Sequence, residues 1–240
     1  MIKIENVEVM GWEAAIRGMR NPMNSWEKSD SGTCGYPHHI GCANCPDHKI
    51  CNHPFRNDGV FKLGKADYEL VMKLVKAGTD HRKFMRMIAV YADITAPLYW
   101  WKEYDTYKVG TVANSCSTMH KIAEKEFTLE DFSCEHLDIR TRKILEEIIK
   151  ALNDYRTLYI NYNPNDFEIK GCPSKKDLWW QMIQLLPSSY NQKRTVMLNY
   201  EVLANIYKSR KNHKLDEWRT FCDWIKALPY SELITGGTDE

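Results

Sequence analysis

Net charge is almost absent from this chain. Its 240 residues carry 33 Lys and Arg against 32 Asp and Glu, a formal balance of +1. That argues against a general nucleic-acid binder, whose footprint is a basic excess or stripe. A few placed cations still suffice for a small anionic ligand. Long apolar runs are lacking too, and nothing approaches the roughly 20 residues that span a bilayer. The first residues, MIKIENVEVMGWEAA, lack the charged-then-apolar plan of a secretory leader. A cytoplasmic protein with no membrane partner is therefore the expectation. The chain shows neither an internal repeat nor a low-complexity tract. Without a leader, its eight cysteines point to metal or plain thiol roles more than to a disulfide framework.

What is present is a length that fits one large domain or two small ones, and aromatics at 12% with eight Trp, which supply buried faces or stacking platforms. Ile2 to Met10 alternates as a strand, and Trp12 to Met19 reads as a short helix broken at Asn21-Pro22. Lys65 to Ala77 is helical in period, with Gly78 as its stop. Phe84 to Thr95 reads as a strand. Thr128 and Asp131 form a capping-box pattern. Ile139 to about Tyr159 is a helix with Ile144, Ile148, Leu152 and Tyr155 as its apolar positions. Ser174 and Asp177 mark another helix start. Thr195 to Ser209 and Leu215 to Leu228 read as two further helices. The expectation is one α+β domain over residues 1–234, with a cysteine-rich insertion at 28–59 and a mobile tail at 235–240.

The insertion needs its own organiser, because a structureless loop of that length is uncommon in a compact domain. It contains Cys34, Cys42, Cys45 and Cys51, with Cys42 and Cys45 in a Cys-x-x-Cys hook. Four thiolates close a tetrahedral shell around zinc, and metal binding supplies the ordering free energy that the loop lacks in apolar residues. His38, His39, His48 and His53 are nearby substitutes for a thiolate. Such a closed site is structural rather than catalytic. An iron–sulfur cluster, a disulfide and incidental thiols are the alternatives.

The segment APLYWWKEYDTYKVGTVANSCSTMH, from Ala96 to His120, mixes rings with charged and hydroxyl groups, a surface suited to stacking a flat ring and holding an anion. It resembles the signature region of the flavin-dependent thymidylate synthases: a strand ending in Ala-Pro, an Arg-His-Arg triplet, then Asn-Glu-x-Ser-x-Arg-Tyr. Ala96-Pro97 matches the strand end. Thr106-Tyr107-Lys108 falls on the triplet with one inserted residue, and Asn114 to His120 on the second motif. Asn114 and Ser117 are kept, and Lys108 keeps a charge. Tyr107, Ser115 and Met119 replace the His, the Glu and an Arg. A second block matches in order and spacing: Leu186-Pro187, Asn199 and Arg210. Here Glu201 and Ile183 stand where the family carries arginine.

The resemblance implies a mixed sheet with flanking helices and a homotetramer whose sites form where subunits meet. It implies a pyrimidine nucleotide as partner, with FAD, NADPH and methylenetetrahydrofolate for a dUMP-type methylation. By the motif match, Lys108, Asn114 and Asn199 fall to the cofactor, and Ser117, Arg210 and Lys102 to the substrate. No catalytic residue is assigned. Each has a plainer role as well: Arg210 as a solvated cation at a helix end, Asn114 and Ser117 as turn or cap residues. Two other functions stay open. One is a nucleotide-binding protein that has kept the fold and lost the reaction; the other is a zinc-bearing interaction protein with a vestigial cleft.

Overall fold

The computed structural model describes residues 1–33, 61–163 and 173–236. Cys34, Cys42, Cys45 and Cys51, and most of the expected insertion, lie outside the described residues. Strands are β1 (Lys3–Met10), β2 (Gly32–Thr33), β3 (Phe61–Lys62), β4 (Ala89–Pro97), β5 (Val112–Ser115) and β6 (Asn191–Asn199). Helices are α1 (Trp12–Arg20), α2 (Lys65–Ala77), α3 (Leu98–Tyr104), α4 (Thr118–Lys121), α5 (Ile139–Ile160), α6 (Lys175–Leu185), α7 (Tyr200–Arg210), α8 (Asp216–Lys226) and α9 (Glu232–Thr235). Four strands form a sheet in the order β1-β4-β6-β5, and β2 pairs antiparallel with β3.

The chain gathers into two compact units. The first comprises Met1–Val7, Tyr91–Met197 and Arg210–Cys222; the second comprises Glu8–Val90, Leu198–Ser209 and Asp223–Glu240.

In the first unit α3 begins directly after Pro97 and buries Trp100, Trp101 and Tyr104. Trp100 packs against Trp218 at 4.7 Å and Phe221 at 5.6 Å between ring centroids. Trp101 donates its indole N–H to the Gln192 carbonyl at 2.9 Å, and its ring lies 4.2 Å from the Arg194 guanidinium. These tryptophans are core, not a stacking platform. A second cluster joins α5 to α6 through Leu145, Ile149, Leu152 and Met182. Of the expected apolar positions of α5, Leu152 is buried and Ile148 and Tyr155 pack against the cluster, but Leu145 is inside in place of Ile144, which is 54% exposed. Both neighbours are apolar, so periodicity alone does not choose between them. Asp138 caps α5 by accepting from Thr141 N at 2.8 Å, and Ser174 with Asp177 forms the expected capping box of α6.

The expected helix from Thr195 to Ser209 is corrected: Thr195 to Asn199 is the end of β6, and the helix starts only at Tyr200. Val196 and Leu198 are buried at strand spacing, and ladder bonds to β5 override the helical period. The strand expected from Phe84 starts at Ala89, because Lys83–Met87 is a 3₁₀ turn. Thr235 ends α9, and residues 237–240 of the expected tail lie outside the described residues.

In the second unit Gly11 enters α1 at φ 93°, and a Cβ there would run into the Met87 carbonyl oxygen. Trp12, Ala15, Ile16 and Met19 then form the buried face of α1. Arg20 and Asp67, both buried, meet at 2.6 Å. Asp67 also accepts from Ser29 Oγ at 2.7 Å and from the Asp30 and Ser31 amides at 3.0 Å. Burial alone raises its pKa, but hydrogen bonds from Ser31, Ser29 and Arg20 outweigh it and hold the carboxyl below its ordinary value. A depressed folded-state value stabilises fully above the unfolded pKa, about 3.9, and that stability is lost as pH falls through the folded value. Asp67→Ala, which strands Arg20, is expected to cost about 3–5 kcal/mol in urea unfolding at neutral pH. The loss should shrink as the wild type is taken below about pH 4.

Candidate functional site

Helix α3 and the turn after it place Glu103 and Tyr107 four residues apart, a spacing that sets side chains on one side of a helical turn. Arg210, the last residue of α7, meets both. Its Nη1 donates to Glu103 Oε2 at 2.7 Å and its Nε to the Tyr107 hydroxyl at 2.9 Å. The guanidinium carbon lies 4.8 Å from the centroid of the Trp218 ring, and Trp218 Nε1 donates to the same Glu103 oxygen at 2.9 Å. His213 Nε2 is 2.9 Å from Arg210 Nη1 and 3.5 Å from Glu103 Oε2, while its Nδ1 accepts from Leu215 N at 3.2 Å. Arg210 is 18% exposed at its side chain and Glu103 35%. A half-buried cation is thus neutralised by one carboxylate and sandwiched by aromatic groups.

The other expected residues lie around the β5 segment. β5 pairs antiparallel with β6, setting Asn114 opposite Thr195 and Ser115 opposite Arg194. Ser117 caps α4, its Oγ accepting from His120 N at 3.1 Å. Lys102, Lys108 and Asn114 are exposed, and among the described residues no side-chain hydrogen bond or ion pair engages them. Arg194 is used by Asp105, at 2.8 Å.

Asn199 and Glu201 belong to the second unit. Asn199 is buried, and its Oδ1 accepts from Val202 N at 3.0 Å as a cap of α7. Glu201 is not an unpaired carboxylate. Arg82 faces it, Nε to Oε2 at 2.8 Å and Nη2 to Oε1 at 3.2 Å.

Sequence reasoning brought Arg210 and Tyr107 forward but missed Glu103, His213 and Trp218 as their partners. A helical reading of LYWWKEYDTY would have aligned Glu103 with Tyr107. Among the described residues no group of three or more His, Cys, Asp or Glu is placed to hold a metal.

Glu103→Ala leaves the Arg210 charge without its carboxylate. Urea unfolding should show a loss of about 1–3 kcal/mol, and Arg210→Lys with Glu103 kept should also lose stability, since an ammonium does not span Glu103 and Tyr107 together. Equal stability of Glu103→Ala and wild type would refute the pairing.

No family model matches the sequence, and no curated protein matches it. Solved structures do. A crystal structure of thymidylate synthase X (ThyX) from Helicobacter pylori with FAD and dUMP aligns with a TM-score of 0.60 at 15% identity, over 97% of this chain and 96% of that one. A second structure of the flavin-dependent thymidylate synthase ThyX from the same organism, complexed with FAD and dUMP, aligns with a TM-score of 0.56 at 16% identity, over 95% and 96%. The resemblance first seen in two short motif blocks therefore extends through nearly the whole chain: this protein has the fold of the flavin-dependent thymidylate synthases.

Proposed function

We propose that this protein binds a pyrimidine nucleotide on the flavin-dependent thymidylate synthase scaffold, with FAD as cofactor and dUMP-type methylation, using NADPH and methylenetetrahydrofolate, as its reaction. One observation carries the reading. The two motif-bearing blocks meet in space, through the β5–β6 register and through Glu103 and Tyr107 closing on Arg210. The similar structures with FAD and dUMP support it.

The residues fit those ligands in part. Lys108 and Asn114 offer an exposed ammonium and amide, the donors that a pyrophosphate and a ring carbonyl take. Asn199 fits less well, because its oxygen is spent on the α7 cap. On the nucleotide side, Ser117 accepts at Oγ and keeps its hydroxyl hydrogen to donate, and Lys102 adds an exposed cation on α3. FAD, when bound, supplies the redox chemistry; the side chains of this chain hold and orient. The homotetramer belongs to this proposal, as does structural zinc on Cys34, Cys42, Cys45 and Cys51.

A second reading, nucleotide binding without the reaction, is favoured by the state of Arg210. Its charge is already met by Glu103, and Glu201 with its Arg82 partner stands where the family has a cation.

Freshly purified protein separates the two. A flavin absorbance band, with NADPH oxidised when dUMP is added, is expected for the enzyme. Colourless protein whose Tm rises with dUMP supports the second reading. Neither flavin nor a dUMP-dependent Tm shift overturns both. Metal analysis of the same sample should find about one zinc per chain, and a chelator should lower Tm; metal-free protein with an unchanged Tm refutes the zinc site.

A further inference from the structure

A cleft of about 300 Å³ opens within the second unit, at the lower end of the range for small-molecule sites. Helix α1 supplies Glu13, Ile16, Arg17 and Arg20, and Trp26 and Phe61 add rings to the lining. The four α1 positions recur at i, i+3, i+4 and i+7, the spacing of one helix face. Asn21 holds the Trp26 indole by accepting its N–H at 2.8 Å, although the residue stays 50% exposed. The Phe61 ring is set by stacking on the buried Trp12, with centroids 5.8 Å apart.

The charges of α1 are not spent on each other. Glu13 and Arg17 stand at the i, i+4 spacing that favours an ion pair on a helix, yet none forms between them. Glu13 Oε1 accepts instead from the Thr33 hydroxyl, which leaves the other oxygen open. Arg17 is exposed, and among the described residues no side-chain hydrogen bond or ion pair engages it. Arg20 is buried, and its bonds occupy only one edge of the fork. Nε donates to Asp67 at 2.6 Å, and Nη1 reaches the Ser25 carbonyl at 3.3 Å and hydroxyl at 3.4 Å. Among the described residues Nη2 makes no hydrogen bond. The hydroxyls in the lining are already engaged. Ser29 donates to Asp67 at 2.7 Å, and Ser31 Oγ accepts from the Gly64 amide at 2.9 Å.

Two guanidinium groups about one helical turn apart suit a carboxylate. The open oxygen of Glu13 suits an ammonium, and the held rings suit a flat apolar body. We infer that this cleft binds a free α-amino acid with an aromatic side chain. Arg17 and the open edge of Arg20 meet its carboxylate, and Glu13 meets its ammonium. Its ring lies against Trp26, Phe61 and Ile16. Lys102, Lys108 and Arg210 belong to the first unit, so this site is independent of the nucleotide reading.

L-Phenylalanine is the probe. Full-length protein labelled with 5-fluorotryptophan is titrated with it, and Trp26→Phe identifies the Trp26 resonance, which should shift. 3-Phenylpropionate lacks the ammonium and phenethylamine lacks the carboxylate; each should bind about tenfold more weakly or worse, the size of one charge-assisted contact. Arg17→Gln should weaken L-phenylalanine by about the same factor and leave phenethylamine as it is. Glu13→Gln still accepts from Thr33, so it should weaken L-phenylalanine alike and leave 3-phenylpropionate as it is. No L-phenylalanine binding at millimolar concentration overturns the assignment. So does binding that leaves Trp26 unmoved, or that ignores either substitution. N-acetyl-L-phenylalanine binding more tightly than the free amino acid would replace it with the C-terminus of a peptide.

Discussion

The ion pair between Arg210 and Glu103 organises the first unit around the motif-bearing segments. It joins α3 to the end of α7 across more than a hundred residues of sequence, and it recruits Tyr107, His213 and Trp218 around one charge. Partial burial strengthens such a pair relative to a surface one, because the effective dielectric is lower. The same burial makes each partner expensive to strand. Trp218 contributes twice, as a ring beneath the cation and as a donor to the carboxylate. The chemistry open to this region is set by how fully that cation is already met.

The near-zero net charge has a structural counterpart. Arg20 with Asp67, Arg82 with Glu201 and Arg210 with Glu103 each match an arginine to a carboxylate in a buried or half-buried place. Arginine suits these places because its planar fork satisfies several acceptors at once. Lysines are left outside: Lys102, Lys108, Lys175 and Lys176 are all exposed. Of the cations that the motif match brings forward, the ones left exposed for small anions are therefore the ammonium groups of Lys102 and Lys108, while the Arg210 guanidinium is already met by Glu103.

Local signals carried most of the fold. α2 runs from Lys65 to Ala77 as its period requires, and Gly78 ends it with φ 99°. The capping boxes at Thr128 and Ser174 are both present. Failures came where tertiary partners decide. Residues 195–199 satisfy both a helical and a strand period, and only pairing with β5 selects the strand. Motif matching put forward Arg210, Ser117, Asn114 and Lys108, yet the partner that neutralises Arg210 carries no local signature. Glu103 sits between Lys102 and Tyr104 in sequence, and nothing nearby announces a salt bridge 107 positions away. The polar capping roles of Ser117 and Asn199 were legible as alternatives, because short polar side chains before a helix commonly accept from its first amides.

The Arg82–Glu201 pair limits which single substitutions either position can accept. Placing arginine at position 201 on its own would set two like charges face to face away from water, and neutralising either partner alone would abandon the other. Any tolerated change to this pair must therefore alter both positions in concert, or pass through an uncharged couple first. The two positions therefore behave as one substitutable unit of this fold rather than as two independent sites.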